Sequence, residues 1–351
     1  MDAGSGAGPG AGRSSGGGSG AVSGTGSSTA DWYRNFSLFE ARGQSDCYAE
    51  WTLAISKDRQ LLALIDALPY AKRQPNLVLA AARFAGAGIT PYTAFRQFMF
   101  SRWPQVRRVI LNRSTQTNEP GRCAVFLPSL AGIAAAEGRP LALLEVGASA
   151  GLVLFPDRYR YQYNGGPVLA GPASAPDSPV LSCAVTGPAP LPSELPTISW
   201  RAGIDLNPLD SANDDDVAWL QALVWPEQEF RQQRLRSALA IARQDPPRLV
   251  AGDLNQRLAE VVAEAPAEAA VVVLHSAVLA YLAPPERRKF AQTVRELGVH
   301  WLSNEGAQVL PQPGDGPEGI DADHVRGRFV LRHNGRPVAL TGPHGQSLDW
   351  L

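Results

Sequence analysis

The chain has 351 residues, of which 44% are hydrophobic, enough for one large core or a core with a smaller cap. With 32 Lys and Arg against 33 Asp and Glu the net charge is -1, so there is no basic excess of the kind that nucleic acid or an anionic membrane selects. The three cysteines, Cys47, Cys123 and Cys183, are odd in number and widely separated, which argues against a zinc site and points to free thiols in a reducing cytoplasm.

Residues 1–30 are mostly Gly, Ser and Ala and cannot offset the entropy of ordering, so a disordered tail is expected. This tail lacks the basic start and apolar centre of a secretory signal, and no later stretch of about 20 uncharged apolar residues would span a bilayer. Residues 31–137 carry helical periodicity, clearest in Arg59 to Leu68 and in Pro75 to Phe84, where the proline suits a first turn. Tyr92, Phe95, Phe98, Phe100 and Trp103 recur at helical intervals and are expected in a core rather than around a ligand.

Residues 138–351 change texture. Candidate strands are Leu141 to Val146, Ser199 to Asp205, Arg248 to Ala251, Ala270 to His275 and His300 to Ser303, with helices expected at Ala212 to Ala242 and Pro285 to Leu297. That alternation predicts an α/β doubly wound, mostly parallel sheet covered on both faces. Asn334-Gly335 between Phe329 to His333 and Arg336 to Thr341 suits a type I′ turn and predicts a closing antiparallel hairpin. Residues 164–196, rich in Pro, Gly and Ser, read as an insertion with a short strand at Val180 to Val185. Tyr159, Tyr161 and Tyr163 alternate beside it, either covering the sheet or lining a pocket.

In a parallel sheet ligands sit at the carboxyl ends of the strands, so the residues after each strand are the ones to inspect. After the first come Glu145 and the loop Gly147-Ala-Ser149-Ala-Gly151, whose small residues let a cofactor approach the backbone while the following helix offers its N-terminal amides. After the second, Asp205 is placed to accept ribose hydroxyls; after the third, Asp253 to accept an exocyclic adenine amine. The fourth ends at His275, a general-base candidate and otherwise a backbone-bonded strand end, and the fifth at Asn304 and Glu305, which suit orientation of an acceptor. Gln116 to Arg122 is either a helix-capping loop, with Asn118 or Thr117 as the cap, or a lid in which Asn118, Glu119 and Arg122 meet the amino-acid end of a ligand. Asp214-Asp215-Asp216 reads as the acidic start of a helix, not as a metal site.

Taken in order, these segments resemble class I S-adenosylmethionine-dependent methyltransferases. The resemblance implies a seven-stranded Rossmann-like sheet, S-adenosylmethionine as cofactor and methyl transfer to a small-molecule or other acceptor. It assigns Glu145, Gly147 and Gly151 to the methionine side, Asp205 to the ribose and Asp253 to the adenine. Ser149 stands where that loop carries its middle glycine. From Trp32 onward the chain is also similar to an uncharacterised bacterial family with a domain of unknown function, at Gln116 to Arg122, Leu144 to Leu152, Trp200 to Pro208, Val224 to Gln228 and His275 to Leu282. That family implies no reaction.

Two other readings stay open. Gly147-Ala-Ser149-Ala-Gly151 also satisfies the Gly-x-Ser-x-Gly elbow of a serine hydrolase, with Asp321, His324 and His344 downstream. A non-catalytic cofactor-binding or interaction protein of the same fold is the third. A nicotinamide site fits less well, because its glycine spacing from Gly147 would fall on Ser149 and Leu152.

Overall fold

The computed structural model describes residues 28–116, 118–310, 325 and 327–351. The expected disordered tail lies outside the described residues apart from its last three positions, of which Thr29 already begins a helix. Helices then follow in series: Thr29–Asn35, a π-helical turn Phe36–Ala41, Asp46–Ile55, Arg59–Asp66, Pro75–Phe84, Tyr92–Asn112 and Cys123–Glu137. Local chemistry fixes their starts. Ser45 accepts from the Tyr48 amide, Asp58 from the amides of Gln60 and Leu61, and Pro75 occupies a first turn where no amide is needed. Phe95 stacks on Trp51 with ring centroids 3.9 Å apart and is buried, so these aromatics do belong to a core. No strand precedes Leu141 among the described residues, and no helix among them is long and apolar enough to cross a membrane.

The strands are β1 Leu141–Val146, β2 Arg160–Tyr163, β3 Val168–Leu169, β4 Val180–Thr186, β5 Ile198–Asp205, β6 Arg248–Ala251, β7 Ala270–Ser276, β8 His300–Gly306, β9 Phe329–His333, β10 Arg336–Thr341 and β11 Ser347–Trp350. They form one sheet in the order β3-β2-β4-β11-β10-β9-β8-β7-β1-β5-β6. The stretch β8-β7-β1-β5-β6 is parallel, and the pairs β8-β9, β9-β10 and β10-β11 are antiparallel. Asn334 and Gly335 have φ of 51° and 85°, the pair of positive values a type I′ turn requires.

Eleven strands replace the seven expected. The four additional strands are β3 and β4 of the insertion, β2 just before it and the C-terminal β11: β4 pairs in parallel with both β2 and β11, so residues 160–186 extend the sheet. Tyr159 and Tyr161 are fully buried there, and the hydroxyls of Tyr159, Tyr161 and Tyr163 donate to the carbonyls of Leu152, Pro156 and Ala124. They cover the sheet. A second difference concerns the helix expected over 212–242, which breaks into Asp214–Leu223 and Glu229–Gln244. Val224 is extended two residues before Pro226, whose ring keeps its predecessor Trp225 out of helical geometry and has no amide to donate.

Both sheet faces are buried. One core joins Tyr33, Trp51, Phe95 and Phe126 of the N-terminal helices to Leu141 and Leu143 of β1, so helices and sheet share their packing. Leu144, Val146, Ile204, Leu258, Phe290 and Trp301 form the core on the opposite face.

Candidate functional site

The chain leaves β1 toward β5 on one side, while β7 leads to β8 on the other, so the strand order reverses between β1 and β7. Loops that diverge there leave a crevice at the carboxyl ends of the strands. A cleft of about 310 Å³ opens at this place, lined by Gly147, Ser149, Asp205, Asp253, Ser276 and Val278 among others.

The floor of the cleft is the loop after β1. Gly147, Ser149 and Gly151 all take positive φ, at 70°, 52° and 70°. Glycine is required at 147 for space as well, since a Cβ there would lie 2.3 Å from Val278 Cγ2. The helix expected after the loop is replaced by a single 3₁₀ turn, Leu152–Leu154, whose side chains are all buried. Amides at the cleft are organised instead by Asp205. Its Oδ2 accepts from the Ser149 amide and its Oδ1 from the Asn207 amide, each at 2.8 Å, and Gln116 Nε2 approaches Oδ1 at 3.4 Å. Asn118 clamps the same loop from behind, donating to Ala148 O at 2.7 Å and accepting from the Leu152 amide at 3.1 Å. Asn118 does not line this cleft, and neither does Gly151, whose missing side chain makes room for Pro247.

The acids occupy different layers. Asp253 lines the cleft and caps the helix Leu254–Val262 by accepting from the Asn255 amide at 2.8 Å. Glu145 lies beneath, 6% exposed, with Oε2 lacking a hydrogen-bond partner among the described residues. Burial pushes its carboxyl well above the usual range, against the pull of Arg122 and with the negative charge of Asp205 adding to the rise.

The segment 116–122 splits in two. Arg122 lines the cleft and is fixed by donating to Ser276 O at 2.9 Å and Pro343 O at 3.0 Å. Glu119 points elsewhere: its carboxylate takes Arg231 at 2.8 Å, Arg234 at 2.9 Å and the Gly121 amide at 3.1 Å, with 3% exposure. Burial alone would raise Glu119, but the two arginines outweigh it and hold the carboxyl below its ordinary value. An ammonium ligand for Glu119, as the lid reading expected, would have to displace both. Thr117 lies outside the described residues.

The three residues expected to carry catalysis are held by hydrogen bonds within the protein. His275 is fully buried, its Nε2 accepts from the Trp301 indole N–H at 3.0 Å, and its Nδ1 lies 2.8 Å from Glu305 Oε1. The ring proton therefore sits on Nδ1, and no lone pair remains to take a proton from a substrate. Glu305 Oε1 also accepts from the amides of Val278 and Leu279, which makes it the cap of the turn that walls the cleft. Asn304, fully buried, donates to Ser276 Oγ and accepts from Thr341 Oγ1 at 2.7 Å. None of the three lines the cleft.

The profile of a family described as "Uncharacterized protein conserved in bacteria (DUF2332)" matches residues 30–350. The chain belongs to the DUF2332 family. No curated protein matches it. In this DUF2332 chain the matched span contains the whole sheet and every residue of the cleft, together with the N-terminal helices from residue 30.

Several residues of the DUF2332 cleft had no site role in the sequence reading. Leu206, Leu254, Val278 and Leu282 join Tyr281 in an apolar wall, and Phe329 at the start of β9 and Pro343 in the turn after β10 close the cleft with His344, named above only with the hydrolase reading. The turn after β10 packs so closely on 119–122 that a Cβ on Gly121 would lie 2.4 Å from His344 O. No local pattern signals that contact. Asp321 and His324, named with the hydrolase reading, lie outside the described residues; His344 is described, but Ser149 Oγ is buried with no hydrogen-bond partner among them. Asp214, Asp215 and Asp216 open a helix capped by Asn213 and pair with Arg243 and Arg113.

Proposed function

We propose that the cleft binds S-adenosylmethionine and that the protein transfers its methyl group to a small-molecule acceptor. The observation that carries this reading is the meeting of Asp205 and Asp253, from two different strand ends, with the Gly147 to Ser149 backbone in one cleft at the reversal of strand order.

The residues present fit such a group. Asp205 Oδ2 keeps a lone pair after accepting the Ser149 amide, and Oδ1 would gain one if the long contact from Gln116 gave way, which suits the carboxylate to ribose hydroxyls. Asp253 Oδ2 has no other described partner and suits an adenine amine. Leu206 and Tyr281, 70% and 61% exposed, supply apolar surface that a flat heterocycle would cover. Ser149 Oγ, which lines the cleft, is a buried polar atom with no hydrogen-bond partner among the described residues, and a polar ligand end over Gly147 would supply one. The bound cofactor would bring an electrophilic methyl group; the protein's part is to hold and align the reactants and to exclude water.

A non-catalytic cofactor-binding protein is the second reading, favoured by the full hydrogen-bond engagement of His275 and Asn304. The serine-hydrolase reading has less support, since Ser149 Oγ has no imidazole partner among the described residues. Calorimetric titration with S-adenosylmethionine and S-adenosylhomocysteine decides among them. Submillimolar binding by the wild type, weakened at least tenfold in Asp205→Ala, is expected. Absence of binding at millimolar concentration, with labelling of Ser149 by a fluorophosphonate, would replace the proposal by the hydrolase.

A further inference from the structure

Behind the cleft lies a second chamber of about 260 Å³ that shares Gln116, Tyr281, Pro343 and His344 with it. Its far wall comes from the N-terminal helices, with Glu40 on the π-helical turn Phe36–Ala41 and Asn76 on Pro75–Phe84, and its apolar side from Leu220, Leu223 and Trp225.

The chamber's hydrogen-bonding groups are unevenly used. Its one guanidinium and two of its amides are already employed: Arg231 donates to Glu119 and Gln228, Gln116 to Asn207 O, and Gln74 to Ala71 O. Two of its acceptors are not. Asn76 Oδ1 is buried without a partner, and Glu40 has no hydrogen bond or ion pair among the described residues. A buried acceptor without a donor costs about 1–3 kcal/mol, a cost removed when an occupant supplies the donor. Burial also raises the Glu40 carboxyl to about 7, the response of a carboxylate withdrawn from water with no cation beside it.

We infer that this chamber holds an amine-bearing small molecule, its ammonium donating to Glu40 and Asn76 Oδ1 and its hydrocarbon part lying against Leu220, Leu223 and Trp225. An anionic ligand is disfavoured, because the one guanidinium among the described residues that line the chamber, that of Arg231, is turned to Glu119. Continuity with the cleft makes the amine the acceptor, and that last step rests on the methyltransferase reading; the chamber's preference for an amine does not.

The test uses the full-length protein without cofactor and three isosteric probes, 2-phenylethylamine, 2-phenylethanol and 3-phenylpropionate, titrated by ligand-observed NMR. The amine is expected to bind with a millimolar or lower Kd, at least tenfold tighter than the propionate. Glu40→Gln weakens amine binding at least tenfold, and Asn76→Asp, which adds a second anionic acceptor, strengthens it at least threefold; this second variant still decides the matter if the first does not fold. Equal affinity for amine and propionate, no amine binding at 10 mM (roughly the ceiling for a ligand of this size), or amine affinity unmoved by either substitution overturns the inference. Asp205→Ala separates the two readings, since it should abolish S-adenosylmethionine binding while leaving amine affinity within twofold.

Discussion

The indole N–H of Trp301 points at Nε2 of His275 from 3.0 Å, and this one hydrogen bond removes the histidine from the list of proton acceptors. Trp301→Phe would leave Nε2 buried without a donor, which costs about 1–3 kcal/mol of stability. Because neither residue lines the cleft, S-adenosylmethionine affinity should stay within twofold. Urea denaturation and calorimetry on the same variant check both halves, and a large loss of affinity with unchanged stability would restore His275 to the site.

Gly147 and Val278 touch across the cleft. Gly147→Ala brings a methyl group 2.3 Å from Val278 Cγ2 at a residue with φ of 70°, so ligand binding should fall at least tenfold. Adding Val278→Ala removes the clash and should restore most of the affinity. A residual destabilisation of about 1 kcal/mol remains, because an L-residue is held in the left-handed region. A double mutant no better than the single one would show that the loop backbone, and not the space above it, is what the ligand needs.

Glu145 gives a pH dependence whose sign is fixed by its raised carboxyl. The folded chain keeps this proton at pH values where the unfolded chain, near about 4.3, has lost it. Folding is therefore progressively less favoured as pH rises above that value, by up to about 1.4 kcal/mol per pH unit until the folded carboxyl also ionises. Glu145→Gln removes the slope. Its stability relative to the wild type should be lowest near pH 4 and climb with pH until the folded carboxyl ionises; a constant difference would mean that Glu145 is ionised throughout.

Glu119 predicts the opposite limb. Its carboxyl is held below the ordinary range, so its stabilisation is complete above the unfolded value and is lost as pH falls through the folded one. Glu119→Gln strands Arg231 and Arg234 in a largely buried place and should cost about 3–5 kcal/mol at neutral pH. The loss should shrink as pH falls below about 4.3, where the unfolded chain takes up the proton, and become smallest once the folded carboxyl is protonated too. Stability curves from pH 3 to 7 on both proteins would show it.

The central architecture was legible because it is written in short-range patterns. Apolar runs of four to eight residues gave all five parallel strands, and Asn334-Gly335 gave the hairpin. Asp205 and Asp253 were legible for a related reason, since the last residue of a parallel strand and the loop after it open on the crevice, whereas Glu145, His275, Asn304 and Glu305, still inside their strands, do not line it. The two broken expectations about helices, after Gly151 and at Trp225-Pro226, concern single turns where packing overrides periodicity.

The sequence by itself determined which residues stand at the strand ends and that glycines let the backbone come close there. Only the tertiary structure decided which polar groups remain available to a ligand. Glu119 reads as a free carboxylate until Arg231, 112 positions away, is seen on it, and His275 as a base until Trp301, 26 positions away, fills its lone pair. Hydrogen bonds saturate, and the partner that saturates a buried group is set by packing between distant segments, which no local pattern records.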